Sequence, residues 1–226
     1  MGGTILTLLL AGVVVSAETK PGLKPAALRF LALGDSYTIG EGVDVAGRWP
    51  MRLAALLRAE GVGIADPEIV ARTGWTTDEL SAGIDAAKPH ETYALVSLLI
   101  GVNNQYRGRD AEEYRQQFMT LIQRAIAFAG RKPGRVIVLS IPDWGVTPFA
   151  QGRDSAAIAD AIDCFNAINR AETERAGARY FDITPLSRQA AADPSLVAED
   201  GLHPSGKMYA AWAQLMLPGV RQALVS

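Results

Sequence analysis

Ser36 and His203 are the residues from which a reaction is most easily read. A serine hydroxyl is a weak nucleophile at neutral pH and needs a base beside it, a task suited to histidine because it titrates near the working pH. The chain has only two histidines, His90 and His203. His203 closes the tetrapeptide Asp200-Gly201-Leu202-His203, a spacing that lets the carboxylate hold one ring nitrogen while the other faces the serine. The carboxylate then fixes the tautomer and stabilises the imidazolium formed on proton transfer. His90, in Lys88-Pro89-His90-Glu91, precedes an apolar run and is expected in a solvated loop at the opposite end of the fold.

Acyl transfer also needs hydrogen-bond donors aimed at the developing oxyanion. Three are available: the backbone N–H of Ser36, the N–H of Gly74 and the side-chain amide of Asn103. Trp75, Tyr106 and Trp144 are expected to wall a substrate pocket, with Asp35 and Asn104 grouped beside them. Each signal alone has an ordinary reading: a plain turn for Gly34-Asp35-Ser36 and for Gly74, a loop amide for Asn103, surface decoration for Asp200 and His203. Their order along the chain, each at the end of an expected strand, gives them weight together.

The elements that must position these residues alternate along the chain. Apolar runs at Arg29–Leu33, Glu68–Ala71, Tyr93–Ile100, Arg135–Ile141 and Ala178–Asp182 read as strands. Amphipathic stretches at Arg48–Glu60, Arg109–Gly130 and Ser155–Gly177 read as helices, as does a shorter one opening at Thr76-Thr77-Asp78 and fading by Pro89. A last helix is expected over Ser205–Leu217, with Ser205 near its N-cap. Alternation of this kind implies right-handed crossovers and a parallel sheet of about five strands covered on both faces, a flavodoxin-like three-layer α/β/α sandwich. In open sheets of this type ligands sit at the carboxyl ends of the strands, where Ser36, Gly74, Asn103 and Trp144 fall.

Taken together, Gly34-Asp35-Ser36, Gly74, Gly101-Val102-Asn103 and Asp200-Gly201-Leu202-His203 resemble the four sequence blocks of the SGNH hydrolase superfamily, also called GDSL lipases and esterases. The resemblance runs from about Leu28 to Leu217. It implies Ser36 as nucleophile and first oxyanion donor, Gly74 and Asn103 as the other donors, His203 as base and Asp200 as its orienting partner. Tyr37 stands where the name-giving leucine usually is, Asn104 where the third block often has Asp, and Arg72-Thr73 where many members show other residues before the glycine. The resemblance implies a small-molecule ester substrate. The residues hold no ligand cluster that calls for a metal, and no cofactor is expected.

The chain of 226 residues carries 22 basic and 24 acidic side chains, a net charge of −2, with none of the basic stripes of a nucleic-acid binder. A single cysteine, Cys164, rules out an internal disulfide and is expected to be a small buried residue. Ile5–Val15 is apolar but too short to span a bilayer as a helix, and Val15-Ser16-Ala17 resembles a leader-peptidase site. Residues 1–17 are thus expected to be a signal peptide, 18–27 a linker and 28–226 one domain without stable membrane insertion. That places the protein in the periplasm or outside the cell, with a cytoplasmic or N-terminally tethered form as the alternatives. Short loops favour an open site and small or single-chain acyl groups. Two other readings stand beside the esterase: a flavodoxin-like module cradling a phosphate or flavin, and a silent relative that binds glycans or acyl chains. Transfer of the acyl group to an alcohol instead of water stays open, as does the oligomeric state.

Overall fold

The computed structural model describes residues 1, 2, 27–90 and 92–225. Residues 3–17 of the expected leader and 18–26 of the linker lie outside the described residues. Five strands form one parallel sheet: β1 (Phe30–Gly34), β2 (Glu68–Ala71), β3 (Leu95–Leu99), β4 (Val136–Leu139) and β5 (Arg179–Phe181), in the order β2-β1-β3-β4-β5. This is the flavodoxin-like order, whose direction reverses between β1 and β3. Every residue of β1, β3 and β4 is buried, as unbroken apolar runs require when helices cover both faces. The edge strand β5 is half-exposed.

Register runs Phe30 against Leu95 to Gly34 against Leu99, so β1 and β3 end level with each other. The residues that follow them are thereby delivered to one edge. After β1 comes the single-turn helix α1 (Ser36–Ile39), then α2 (Trp49–Ala59) and α3 (Thr77–Ala87). After β3 comes a second short helix, α4 (Val102–Tyr106), then α5 (Ala111–Phe128), α6 (Ser155–Arg175), α7 (Thr184–Arg188) and α8 (Gly206–Val225). Helix starts follow their sequence signals. Thr76 and Glu79 form a reciprocal capping box on α3, Asp110 accepts from the N–H groups of Glu112 and Glu113, and Asp154 accepts from that of Ala157. Ser205 accepts from Met208 N–H at the start of α8.

The long helices form two groups, α2 packed on α8 and α5 packed on α3 and α6. Trp49 and Trp212 are fully buried, and Phe118, Leu121 and Ile122 of α5 sit in the same cluster. Two expectations need correction. Helix α8 does not stop at Leu217 but continues through Pro218 to Val225. Val220, Ala223 and Leu224 are buried there, so burial of this last stretch outweighs the hydrogen bond that a proline removes. Cys164 is exposed, because its position on α6 points away from the face that carries Ile158, Ile162 and Phe165 inward. Among the described residues, no helix is long and apolar enough to cross a membrane.

Candidate active site

Asp35 shapes the turn that presents Ser36. It lies between β1 and α1 in extended conformation, and its Oδ1 accepts the N–H of Tyr37 at 3.0 Å. The helix it caps is only four residues long, so Ser36 is held at the sheet edge with 5% of its surface exposed. Asp35 is fully buried and turned into the fold, so it does not line the pocket as expected. Its Oδ2 has no hydrogen-bond partner among the described residues. Burial accordingly pushes its carboxyl up to about 8, against the N–H bond from Tyr37 that favours the charged form.

His203 is built by the loop before α8. Asp200 Oδ1 accepts the N–H groups of Leu202 and His203, both at 2.9 Å, which folds the tetrapeptide into a tight turn. The other oxygen, Oδ2, lies 2.6 Å from His203 Nδ1. Burial raises the Asp200 carboxyl, but the N–H donors and the imidazole outweigh it and hold it below the ordinary range. With Nδ1 so engaged, Nε2 is the ring nitrogen left for chemistry, and His203 shares one pocket with Ser36. The two side chains make no direct hydrogen bond. Tyr37 packs its ring edge-on to the imidazole at 5.6 Å and leans on Trp212, so the tyrosine in place of the common leucine braces the histidine.

Asn103, on α4, also lines this pocket. Its Nδ2 donates to the Trp75 carbonyl at 2.9 Å, which uses one of two amide hydrogens. Gly74 lies beside it in a turn with φ of 83°, a conformation only glycine takes without strain. The Gly74 carbonyl accepts from Arg107 at 2.6 Å, which pins the turn to the end of α4. Gly74 is not among the residues that border the pocket.

The pocket encloses about 120 Å³ and is bordered by Ser36, Tyr37, Asn103 and His203 together with Val102, Tyr106, Trp144, Phe149 and Leu202. Tyr106 and Trp144 thus both border the pocket that holds Ser36 and His203. Their rings meet edge-on at 5.3 Å, and Phe149 joins them. Arg153 lies over this wall, its guanidinium 5.3 Å from the Tyr106 and Trp144 ring centres and 5.4 Å from that of Phe149. Two other expected pocket residues are structural. The Trp75 ring lies against Gly83 of α3, so closely that a Cβ at Gly83 would overlap it. Asn104 is fully buried, accepting from Thr77 N–H and donating to the Thr77 hydroxyl, which ties α4 to α3. His90 is exposed, on the loop that leads into β3 and thus at the opposite end of the sheet.

Sequence reasoning missed Phe149, Leu202 and Glu41. The first two reach the pocket from loops whose path no periodicity reports. Glu41, 3.9 Å from His203 Nε2, had one visible signal, a carboxylate set between Gly40 and Gly42 just past the serine. Among the described residues, no group of three His, Cys, Asp or Glu side chains is placed to hold a metal.

A family model described as the GDSL-like lipase/acylhydrolase family matches residues 32–211. The chain belongs to that family. Membership places it among carboxylic ester hydrolases. No curated protein sequence matches it. Solved structures share the fold at low identity. One is TesA, at 20% identity and a TM-score of 0.66, covering 87% of this chain and 99% of TesA. A lipolytic G-D-S-L protein from Veillonella parvula matches at 17% and 0.65, covering 85% and 97%. The acetylxylan esterase Axe2 from Geobacillus stearothermophilus matches at 17% and 0.60, covering 87% and 94%.

Proposed function

We propose that this esterase hydrolyses esters of short or single-chain acyl groups through an acyl-enzyme on Ser36. The observation that carries the reading is the 2.6 Å contact of Asp200 with His203 Nδ1 in a histidine that shares its pocket with Ser36. Ser36 Oγ attacks the ester carbonyl carbon while His203 Nε2 takes its proton. Asp200 fixes the ring and stabilises the imidazolium. The oxyanion is met by the N–H of Ser36, the N–H of Gly74 and the second amide hydrogen of Asn103. Collapse expels the alcohol, which leaves with the proton from Nε2, and water then repeats the sequence on the acyl-enzyme.

Pocket size supports short acyl groups. A closed cavity of roughly 150 Å³ takes up a benzene ring; the free space here is about 120 Å³ in a pocket open to solvent, enough to seat a short acyl group beside the serine. The aromatic wall of Tyr106, Trp144 and Phe149 offers apolar contact for the acyl or alcohol part. Turnover of p-nitrophenyl esters from acetyl to palmitoyl tests the reading. Ser36→Ala and His203→Ala are expected to lose at least about 10³-fold in kcat, His90→Ala is expected to match the wild type, and rates are expected to fall beyond short chains. Full activity in Ser36→Ala sinks the assignment.

A further inference from the structure

Glu41 has no part in the acylation by Ser36, yet it is held beside Nε2 of His203. Its backbone N–H donates to the Ser36 carbonyl at 3.1 Å, so the residue is fixed relative to the nucleophile. Its side chain accepts a hydrogen bond from the Thr73 hydroxyl, and the accepting oxygen, Oε2, is the one that faces His203 Nε2 at 3.9 Å. That separation is too long for a hydrogen bond. A polar pair so spaced is the usual setting for a bridging water. Two hydrogen bonds of about 2.8 Å meeting at a tetrahedral oxygen span about 4.5 Å, and a small rotation of the half-exposed Glu41 side chain supplies the difference.

We propose that Glu41 positions the hydrolytic water in the second half of the reaction, an assignment that rests on the acyl-enzyme reading above. The water lies between Oε2 and Nε2 once the alcohol has left. Its oxygen bonds to the acyl carbon as one proton passes to His203 Nε2, and Glu41 accepts the hydrogen bond of its other O–H. Collapse breaks the bond between the acyl carbon and Ser36 Oγ, and the proton on Nε2 returns to that oxygen. Glu41 ends unchanged, and the product is the carboxylic acid. In the first half the nucleophile is part of the chain, already placed by α1, so Glu41 is not needed there. Its effect is confined to deacylation, and it favours water over a bulkier acceptor alcohol by fixing where the acceptor oxygen sits.

The test separates the two halves with a series of aryl acetates that differ in leaving group but give the same acetyl-enzyme. Stopped-flow release of the phenol is followed for wild type, Glu41→Ala, Glu41→Gln and Thr73→Val. In Glu41→Ala, kcat is expected to fall about 10- to 100-fold with kcat/KM within about twofold, since kcat/KM reports acylation. A burst of about one phenol per active site should precede the slow phase, and kcat should become the same across the series. Glu41→Gln, which still accepts a hydrogen bond, should recover part of the loss, and Thr73→Val, which frees the carboxylate, should fall between. A parallel drop in kcat and kcat/KM without a burst, or no drop at all, overturns the proposal. If Glu41→Ala does not fold, the kcat against kcat/KM split in Thr73→Val decides. Failure of the underlying reading looks different: Ser36→Ala then turns over the aryl acetates as fast as the wild type, and the proposal falls with it.

Discussion

Beside Ser36 sits a carboxyl group with no access to water. Asp35 is fully buried with one oxygen unpartnered, and its pKa is raised to about 8 by desolvation. The unfolded chain releases that proton near 3.8 while the native state keeps it until about 8. Between those values the native state binds more protons, so the stability Asp35 allows is fully present below pH 3.8 and is lost as pH rises through about 8. Thermal unfolding of the wild type is therefore expected to drop by at least ~5 °C from pH 5 to pH 8. Asp35→Asn keeps the acceptor for Tyr37 N–H and removes the titration, so its melting temperature should stay nearly flat over that range. An equal slope in both proteins refutes the assignment. At this scale the sequence was legible where a residue acts through its own backbone neighbourhood. Asp200 and His203 are such a case, because a three-residue spacing builds their turn. Trp75 and Asn104 were not legible, because the Trp75 ring turns onto Gly83 of α3 and Asn104 on α4 turns to Thr77 of α3, contacts that form only in the fold.

The short helices α1 and α4 carry Ser36 and Asn103, and at four and five residues neither shows a period that a sequence can display. Their placement is decided by the strands that precede them. Gly101, which joins β3 to α4, has φ of 124°, and a Cβ there would come within 2.8 Å of the Tyr114 ring. Tyr114 in turn donates to the Ile100 carbonyl at 3.1 Å. Gly101→Ala is expected to cost about 2–4 kcal/mol of stability through strain and overlap. It is also expected to lower kcat more than KM changes, by shifting Asn103 from the oxyanion position proposed for it. Chemical denaturation and steady-state kinetics on the same preparation check both, and unchanged kcat in a destabilised variant separates strain from function. The long helices were legible to within a few residues because their caps and apolar faces are local. The end of α8 was not: a proline marks a stop only where nothing beyond it is buried.

Across the whole molecule, site and core are separable. Phe118 is buried on α5, stacked on Tyr114, and does not border the pocket. Phe118→Ala should lose about 3–5 kcal/mol, a fall of about 6–20 °C in melting temperature for a chain of this size. Its kcat below the transition should stay within about twofold, and a larger loss indicates that the core reaches the site. The sequence by itself determined the alternation of strands and helices, hence the parallel sheet, and the order of the four blocks that place the chain in its family. Those follow from period, apolar runs and cap residues, all of which act over a few positions. Only the tertiary structure decided which side chains share the pocket. The register of β1 on β3 brings Ser36 and Asn103 level, the packing of loops distant in sequence adds Phe149 and Leu202, and the approach of the His203 loop to α1 sets Nε2 3.9 Å from Glu41. Such contacts join residues far apart along the chain, and no local pattern encodes the distance between them.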